Sequence, residues 1–352
     1  MSTNNLELLS LEELLKNAQT QKATEVHISI RNFPYYRCQG ILQVSSNSVI
    51  DDFTFWHWAK TIFSVEEIQQ IKSGNPARRF YQYSFANLSV SAFLILQGAA
   101  MTIKFLPMDI PTVDKLGISQ ISTNISKYSD GLILITGVTG SGKTTTLTSI
   151  VNDINQRNVK NIFILEEGIT YSYPKSKSLI YHWEIGTHIP NFEQGVLTAI
   201  ENHADIIVIN EIKDRSTFDM ALRAAKRGVL VIASMHSSDV ISTIQELLTF
   251  YSSQEQDFIH LNLANHLQAI VSQRLVTTLD AEYKRTAIFD LLFTNEQVRN
   301  YILAGKIQDL STLMQAGKED GMSTMKSELE SLLTSGRISE DTFTKTLQKI
   351  TS

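Results

Sequence analysis

Two patterns of apolar spacing divide the chain. From residue 6 to 22, "LELLSLEELLKNAQTQK" sets its leucines at helical intervals and predicts an amphipathic helix. "EVHISI" and "YYRCQGILQV" then alternate apolar and polar positions, as half-buried strands do. "FTFWHWAKTIFSVEEIQQIKSG" returns to helical spacing, and "RFYQYSFANLSVSAFLIL" and "AAMTIKFLP" read as further strands, so 1–106 is expected to be an α+β domain. "PMDIPTVDKLGIS", with two of only six prolines, predicts a linker over 107–119. Beyond it, short unbroken apolar runs ("GLILITG", "NIFILEE", "DIIVINE", "GVLVIASMH") alternate with helical stretches. That alternation predicts a mainly parallel sheet covered by helices across 120–352. From about 255 the pattern is helical, with "TAIFDLLF" as one predicted strand.

Composition changes this picture little. A chain of 352 residues has room for two cores, and 43% hydrophobic with 19% charged residues is ordinary for a soluble globular protein. No apolar run reaches the length of a membrane span, and the first residues lack the pattern of a secretory signal, so a cytoplasmic location is expected. The lone Cys38 excludes an internal disulfide and a multi-cysteine metal site; a small buried hydrophobe is its expected role. Net charge is −5, and residues 1–115 balance ten Lys/Arg against ten Asp/Glu, so the acidic excess lies beyond them. A nucleic-acid partner is not expected from that balance.

Candidate chemistry centres on "GVTGSGKT", from Gly137 through Val138, Thr139, Gly140, Ser141, Gly142 and Lys143 to Thr144. Strand before, glycine-rich loop, helix after: this is the phosphate-binding loop in full, with Thr145 next in line. Glycines let backbone N–H groups approach a phosphate, Lys143 would reach the β- and γ-phosphates of ATP, and the Thr144 hydroxyl would ligate Mg²⁺. Such a loop needs an acid on a neighbouring strand. Glu211 ends "DIIVINE" and would hold Mg²⁺ or polarise water, with capping of the next helix as the plainer alternative. Glu166 and Glu167 end "NIFILEE" in the same topological position, either to position water or as a surface pair. His236 ends "VLVIASMH", structural or a sensor of the γ-phosphate. Asp205, at the opposite end of the Glu211 strand, reads as a turn residue.

"GVTGSGKTTT", "ILEEGITY", "DIIVINEIKD" and "VIASMHSSD", in this order, resemble the Walker A, Asp, Walker B and His boxes of the PilT-like and DotB-like secretion ATPases. "ATEVHIS", "SAF" at 91–93, "LQAIVSQRL" at 267–275, "QVRNYI" at 297–302 and "EIGTHIPNFEQGV" extend the resemblance over nearly the whole chain. It implies a PAS-like N-terminal domain and a RecA-like P-loop domain with a helical C-terminal part. It also implies a ring of six subunits that hydrolyses ATP for a type IV pilus, a type IVB secretion system or a conjugative relative. The expected partners are a platform protein at the cytoplasmic face of the inner membrane and a paralogous ATPase. The departures concern arginine. Asn87 and Ser89 stand in "NLSVSAF" where the family has arginines for phosphate charge, Leu197 and Glu201 replace two more, Val229 replaces the first His of the His box, and Lys213 the Walker B arginine. An arginine finger is worth about a thousandfold in rate. Low turnover is therefore expected, or a near-inactive paralogue that binds ATP beside an active motor, with Arg78, Arg79, Arg223 and Arg227 as possible replacements.

Overall fold

The computed structural model describes residues 10–46, 48–280 and 284–351. It divides into two compact units, one built from the chain up to Asp109 with Gly168–Ser172, the other from Ile110–Glu167 and from Tyr173 onward.

In the first unit α1 (Leu11–Thr20) starts where sequence chemistry starts it: the Ser10 hydroxyl accepts from the Glu13 N–H, and the Glu13 carboxylate accepts from the Ser10 N–H. β1 (Ala23–Ser29), β2 (Tyr35–Cys38) and β3 (Ile41–Val44) follow, the last two joined through Gln39 and Gly40, both at positive φ. The helical segment expected next is two helices, α2 (Asp52–Ile62) and α3 (Val65–Lys72). Ser64 separates them, because its own capping box with Glu67 gives the chain a fresh helix start. β4 (Ala77–Gln82), β5 (Asn87–Ile95) and β6 (Gly98–Leu106) complete an antiparallel sheet in the order β3-β2-β1-β6-β5-β4. Leu15, Phe55 and Ile71 of the helices pack with Val26, Val90 and Ile103 of the strands. Cys38 is buried in this core.

The second unit runs α4 (Ser119–Ile125), β7 (Gly131–Thr136), α5 (Lys143–Arg157), β8 (Asn161–Glu166), β9 (Leu179–Glu184), α6 (Phe192–Glu201), β10 (Ile206–Ile212), α7 (Arg215–Lys226), β11 (Leu230–Met235), α8 (Val240–Thr249), α9 (Ser253–His266), β12 (Leu267–Thr277) and β13 (Arg285–Phe293). Its seven strands lie in the order β13-β12-β7-β11-β10-β8-β9, all parallel except β13, which pairs antiparallel with β12. β7 and β11 are buried at every position, as strands covered on both faces must be.

Two strands escape the sequence reading. β12 lies inside the region beyond 255 expected to be helical apart from "TAIFDLLF"; Ser272, Gln273 and Arg274 interrupt its apolar run, yet Ser272 and Gln273 are buried among polar partners. β9, "LIYHWE", is an edge strand with too little apolar content to stand out. The helices α10 (Glu296–Leu303), α11 (Leu310–Ala316), α12 (Met325–Thr334) and α13 (Glu340–Thr351) follow β13. Met325 and Leu329 of α12 pack on Val276 and Ile288 of the hairpin. Among the described residues no helix is long and apolar enough to cross a membrane.

Candidate phosphate-binding site

The loop from Gly137 to Gly142 joins β7 to α5. Gly137 has φ +151°, and a Cβ there would fall 2.4 Å from the Gln273 carbonyl oxygen and 2.5 Å from Ser141 Oγ, so only glycine fits. Gly142, at φ +92°, takes the left-handed turn that starts α5 and points its first N–H groups into the loop. The buried Ser141 Oγ has no hydrogen-bond partner. A loop that excludes a side chain at Gly137 and holds an orphan hydroxyl fits a phosphate group. Thr144 and Thr145 are half-buried on the first turn of α5.

Lys143 is 8% exposed, and its Nζ donates to the carbonyl oxygens of Gly137 (2.7 Å) and Val138 (3.3 Å). The same Nζ lies 3.2 Å from His236 Nδ1. Burial lowers the lysine pKa, against the upward pull of Glu211. An ammonium only donates, so Nδ1 of a neutral His236 accepts and its Nε2 carries the proton that faces Glu211 Oε1, 2.6 Å away. Glu211 Oε2 lies 3.5 Å from Lys213 Nζ, and Lys213 is also bonded to the Glu167 carboxylate, which raises the Lys213 pKa. The carboxyl edge of the parallel sheet therefore carries one continuous run of contacts, Lys143–His236–Glu211–Lys213–Glu167.

Of the residues predicted from sequence, Lys143 and Glu211 both contact His236. Glu166, the last residue of β8, is outside that run of contacts: it is 3% exposed, and its Oε2 lies 3.4 Å from His182 Nε2 on β9. Glu211 is not the cap of the next helix, since Asp214 caps α7 by accepting from the Thr217 N–H at 2.8 Å. Asp205 accepts from the Asn161 N–H at 2.8 Å and so ties the starts of β8 and β10.

Sequence reasoning missed Gln273 as a support of the loop: its Nε2 donates to the Ser141 carbonyl at 2.6 Å. The quoted run "LQAIVSQRL" contained it, but no spacing rule marks a glutamine on a strand as a loop brace. It also missed Thr243, whose hydroxyl bonds to Thr136 Oγ1 (3.1 Å), to the Asp239 carbonyl (2.7 Å) and to Ser237, while Thr136 bonds to Ser272. These hydroxyls fasten the end of β7 to β12 and α8. A cleft of about 1250 Å³ opens beside Gly142, Thr145 and Thr146, with Leu275 and Phe289 on its wall and Arg285 and Arg337 at its margin.

Of the positions that depart from the resemblance, Lys213 joins the run of contacts, while Asn87 and Ser89 lie in the antiparallel sheet. Asn87 is 1% exposed and its Nδ2 donates to the Pro107 carbonyl at 3.3 Å. Ser89 is half-buried and faces Lys104 across the β5–β6 pair. Arg79 is held by Glu67 Oε2 at 2.8 Å, and Arg223 and Arg227 line a groove with Phe258 between α7 and α9.

A glycine cradle between a buried parallel strand and a helix, with acids gathered at the same sheet edge, defines a P-loop nucleotide-binding protein. Residues 96–332 match the model of the type II/IV secretion system proteins, and the chain belongs to that family. It is 34% identical over 248 residues to the YggR protein of Escherichia coli, covering 70% of this chain and 76% of that one. It is 26% identical over 341 residues to the type IV pilus retraction ATPase PilT of Pseudomonas aeruginosa, covering 95% and 96%. The crystal structure of the pilus retraction motor PilT with bound ADP superposes with a TM-score of 0.86 at 27% identity, over 96% of this chain and 97% of that one. The expected architecture holds: an N-terminal antiparallel-sheet domain, a RecA-like domain and C-terminal helices.

Proposed function

We propose that this chain is an ATP-hydrolysing ring motor, a homohexamer docked through a platform protein on the cytoplasmic face of the inner membrane, serving a type IV pilus or a related secretion system. The observation that carries the reading is the contact of Lys143 and Glu211 with the two nitrogens of one histidine, beside a loop shaped for phosphate. Phosphate entering the cradle would draw Lys143 away from the carbonyls of Gly137 and Val138 and from His236 Nδ1. His236 then has a free acceptor on the phosphate side and keeps its Nε2 proton against Glu211, which makes it the natural reporter of an occupied site. Thr144 and Glu211 would hold Mg²⁺, which supplies neutralisation of phosphate charge. Glu211 would also polarise the attacking water. The cleft beside Thr145 and Thr146 would take the nucleoside.

A second reading has its own observation: Asn87 and Ser89 offer no cation, and Asn87 is locked into the sheet. On that reading the chain binds ATP with little turnover and serves a paralogous motor. Phosphate release from Mg·ATP by the purified oligomer, with Glu211→Gln as the blank, tests the two. Turnover above the blank supports the motor; equality with the blank supports the paralogue.

A further inference from the structure

Glu166 is costly to keep where it lies. Its carboxyl group is almost fully buried and Oε2 has no hydrogen-bond donor. The nearest cation-capable atom is His182 Nε2, 3.4 Å away, also buried and with no hydrogen-bond partner of its own. A buried pair at that distance does little for folding, and an apolar pair of similar volume would serve as well or better. The placement is nevertheless well determined. β8 and β9 run in parallel with Ile164 opposite His182 and Glu166 opposite Glu184, so His182, Glu184 and Glu166 share one face of the sheet. The Tyr173 ring meets the His182 ring edge-on, with centroids 5.6 Å apart and planes at 70°, which limits how the imidazole can turn. Glu166 is the last residue of β8, at the same carboxyl edge that carries Glu211 and His236.

Resting on the hydrolase reading, we propose that His182 is a positioning residue: it holds the Glu166 carboxylate as a second acceptor for the water that Glu211 polarises. The pairing belongs to this chain's own sequence, since "SLIYHWE" places an imidazole one register step from a strand-end acid. On this proposal an Nε2–H turned toward Glu166 Oε2, 3.4 Å away, would restrain one carboxylate oxygen and leave the other for the water.

The test is steady-state ATP hydrolysis by full-length wild type, His182→Ala, His182→Gln and Glu166→Gln, with thermal unfolding of each. A positioned acid–base group contributes roughly a hundredfold or more, so loss of the group that orients it should cost about tenfold in kcat, with KM within about twofold. His182→Gln keeps an N–H donor and should recover most of the loss. Glu166→Gln should lower kcat with Tm unchanged or raised. A His182→Ala enzyme with wild-type kcat overturns the proposal, as does a fall in Tm shared by the alanine and glutamine variants with no rescue. Wild-type turnover no higher than the Glu211→Gln blank sinks the hydrolase reading and this proposal with it. Brisk wild-type turnover with an indifferent His182→Ala sinks this proposal alone.

Discussion

The two sheets of this chain handle charge in opposite ways. In the parallel sheet β7 and β11 are buried along their whole length, and the charged groups gather at the carboxyl edge, where Lys143, His236, Glu211, Lys213 and Glu167 form one linked series. In the antiparallel sheet the charges lie on a half-open face. There Glu25 alone serves Arg37 at 2.9 Å, His27 at 3.2 Å and Lys104 at 3.6 Å. The first arrangement needs both faces covered, so polar chemistry can leave only through strand ends. The second leaves alternate residues partly open, as at Ser89, although Asn87 at the start of the same strand is buried. On the proposed function, phosphate binding and cation supply are separable, and variants should affect one without the other.

The largest expected effect is at Lys143. Lys143→Ala removes a buried charge held here by two backbone carbonyls and a neutral imidazole, with no carboxylate in contact, so ATP affinity should fall about a hundredfold or more while Tm stays level or rises, read by calorimetric titration and thermal unfolding. Normal affinity in a folded variant would remove the phosphate assignment. Next comes Glu211→Gln, which keeps the fold and bound ATP but should lower turnover about a hundredfold or more. If it hydrolyses ATP at the wild-type rate, the water must be polarised from Glu166.

The antiparallel sheet gives the sharper contrast. Asn87→Arg must bury a guanidinium in place of an amide bonded to Pro107, and should cost about 3 kcal/mol of stability by denaturant melt. Ser89→Arg is better placed, because Ser89 is half-buried. Its new cation would face Lys104 at a cost of under about 1 kcal/mol, and it should raise turnover severalfold with ATP affinity unchanged. If Asn87→Arg is as stable as wild type, the burial argument for that strand is wrong.

The smallest effect lies in the C-terminal part. Burial pushes Asp290 up to about 6 and Glu328 up to about 7, and Asp290 adds to the shift of Glu328. Both are protonated more readily folded than unfolded, so the folded state binds extra protons between about pH 4 and 7. Stability should fall as pH rises through that window and level off above it. A scan from pH 5.5 to 8 should lower Tm by a few degrees, and Glu328→Gln should flatten the slope.

Much of the parallel sheet and its edge could be read directly, because covered strands are long apolar runs and the phosphate loop has fixed spacing. β12 could not, since the side chains of Gln273 and Ser272 bond to partners far along the chain: the Ser141 carbonyl and Thr136. His182 was silent for a related reason. Its meaning comes from a register between β8 and β9 that no local pattern encodes. The helix break at Ser64 had a local signal, Ser64 followed by Glu67, that apolar spacing alone overrides. Asn87 was legible as a missing arginine but not as a buried brace, because burial on one face of a sheet depends on which strands flank it.

On the proposed function, the carboxyl edge of the parallel sheet hydrolyses ATP, slowly because Asn87 and Ser89 carry no cation. Phosphate release from Mg·ATP by purified wild type, Glu211→Gln and Ser89→Arg, at one protein concentration, tests it most directly. The account predicts wild type measurably above the Glu211→Gln blank and Ser89→Arg severalfold above wild type. Wild type equal to the blank, with Ser89→Arg equally silent, would contradict it.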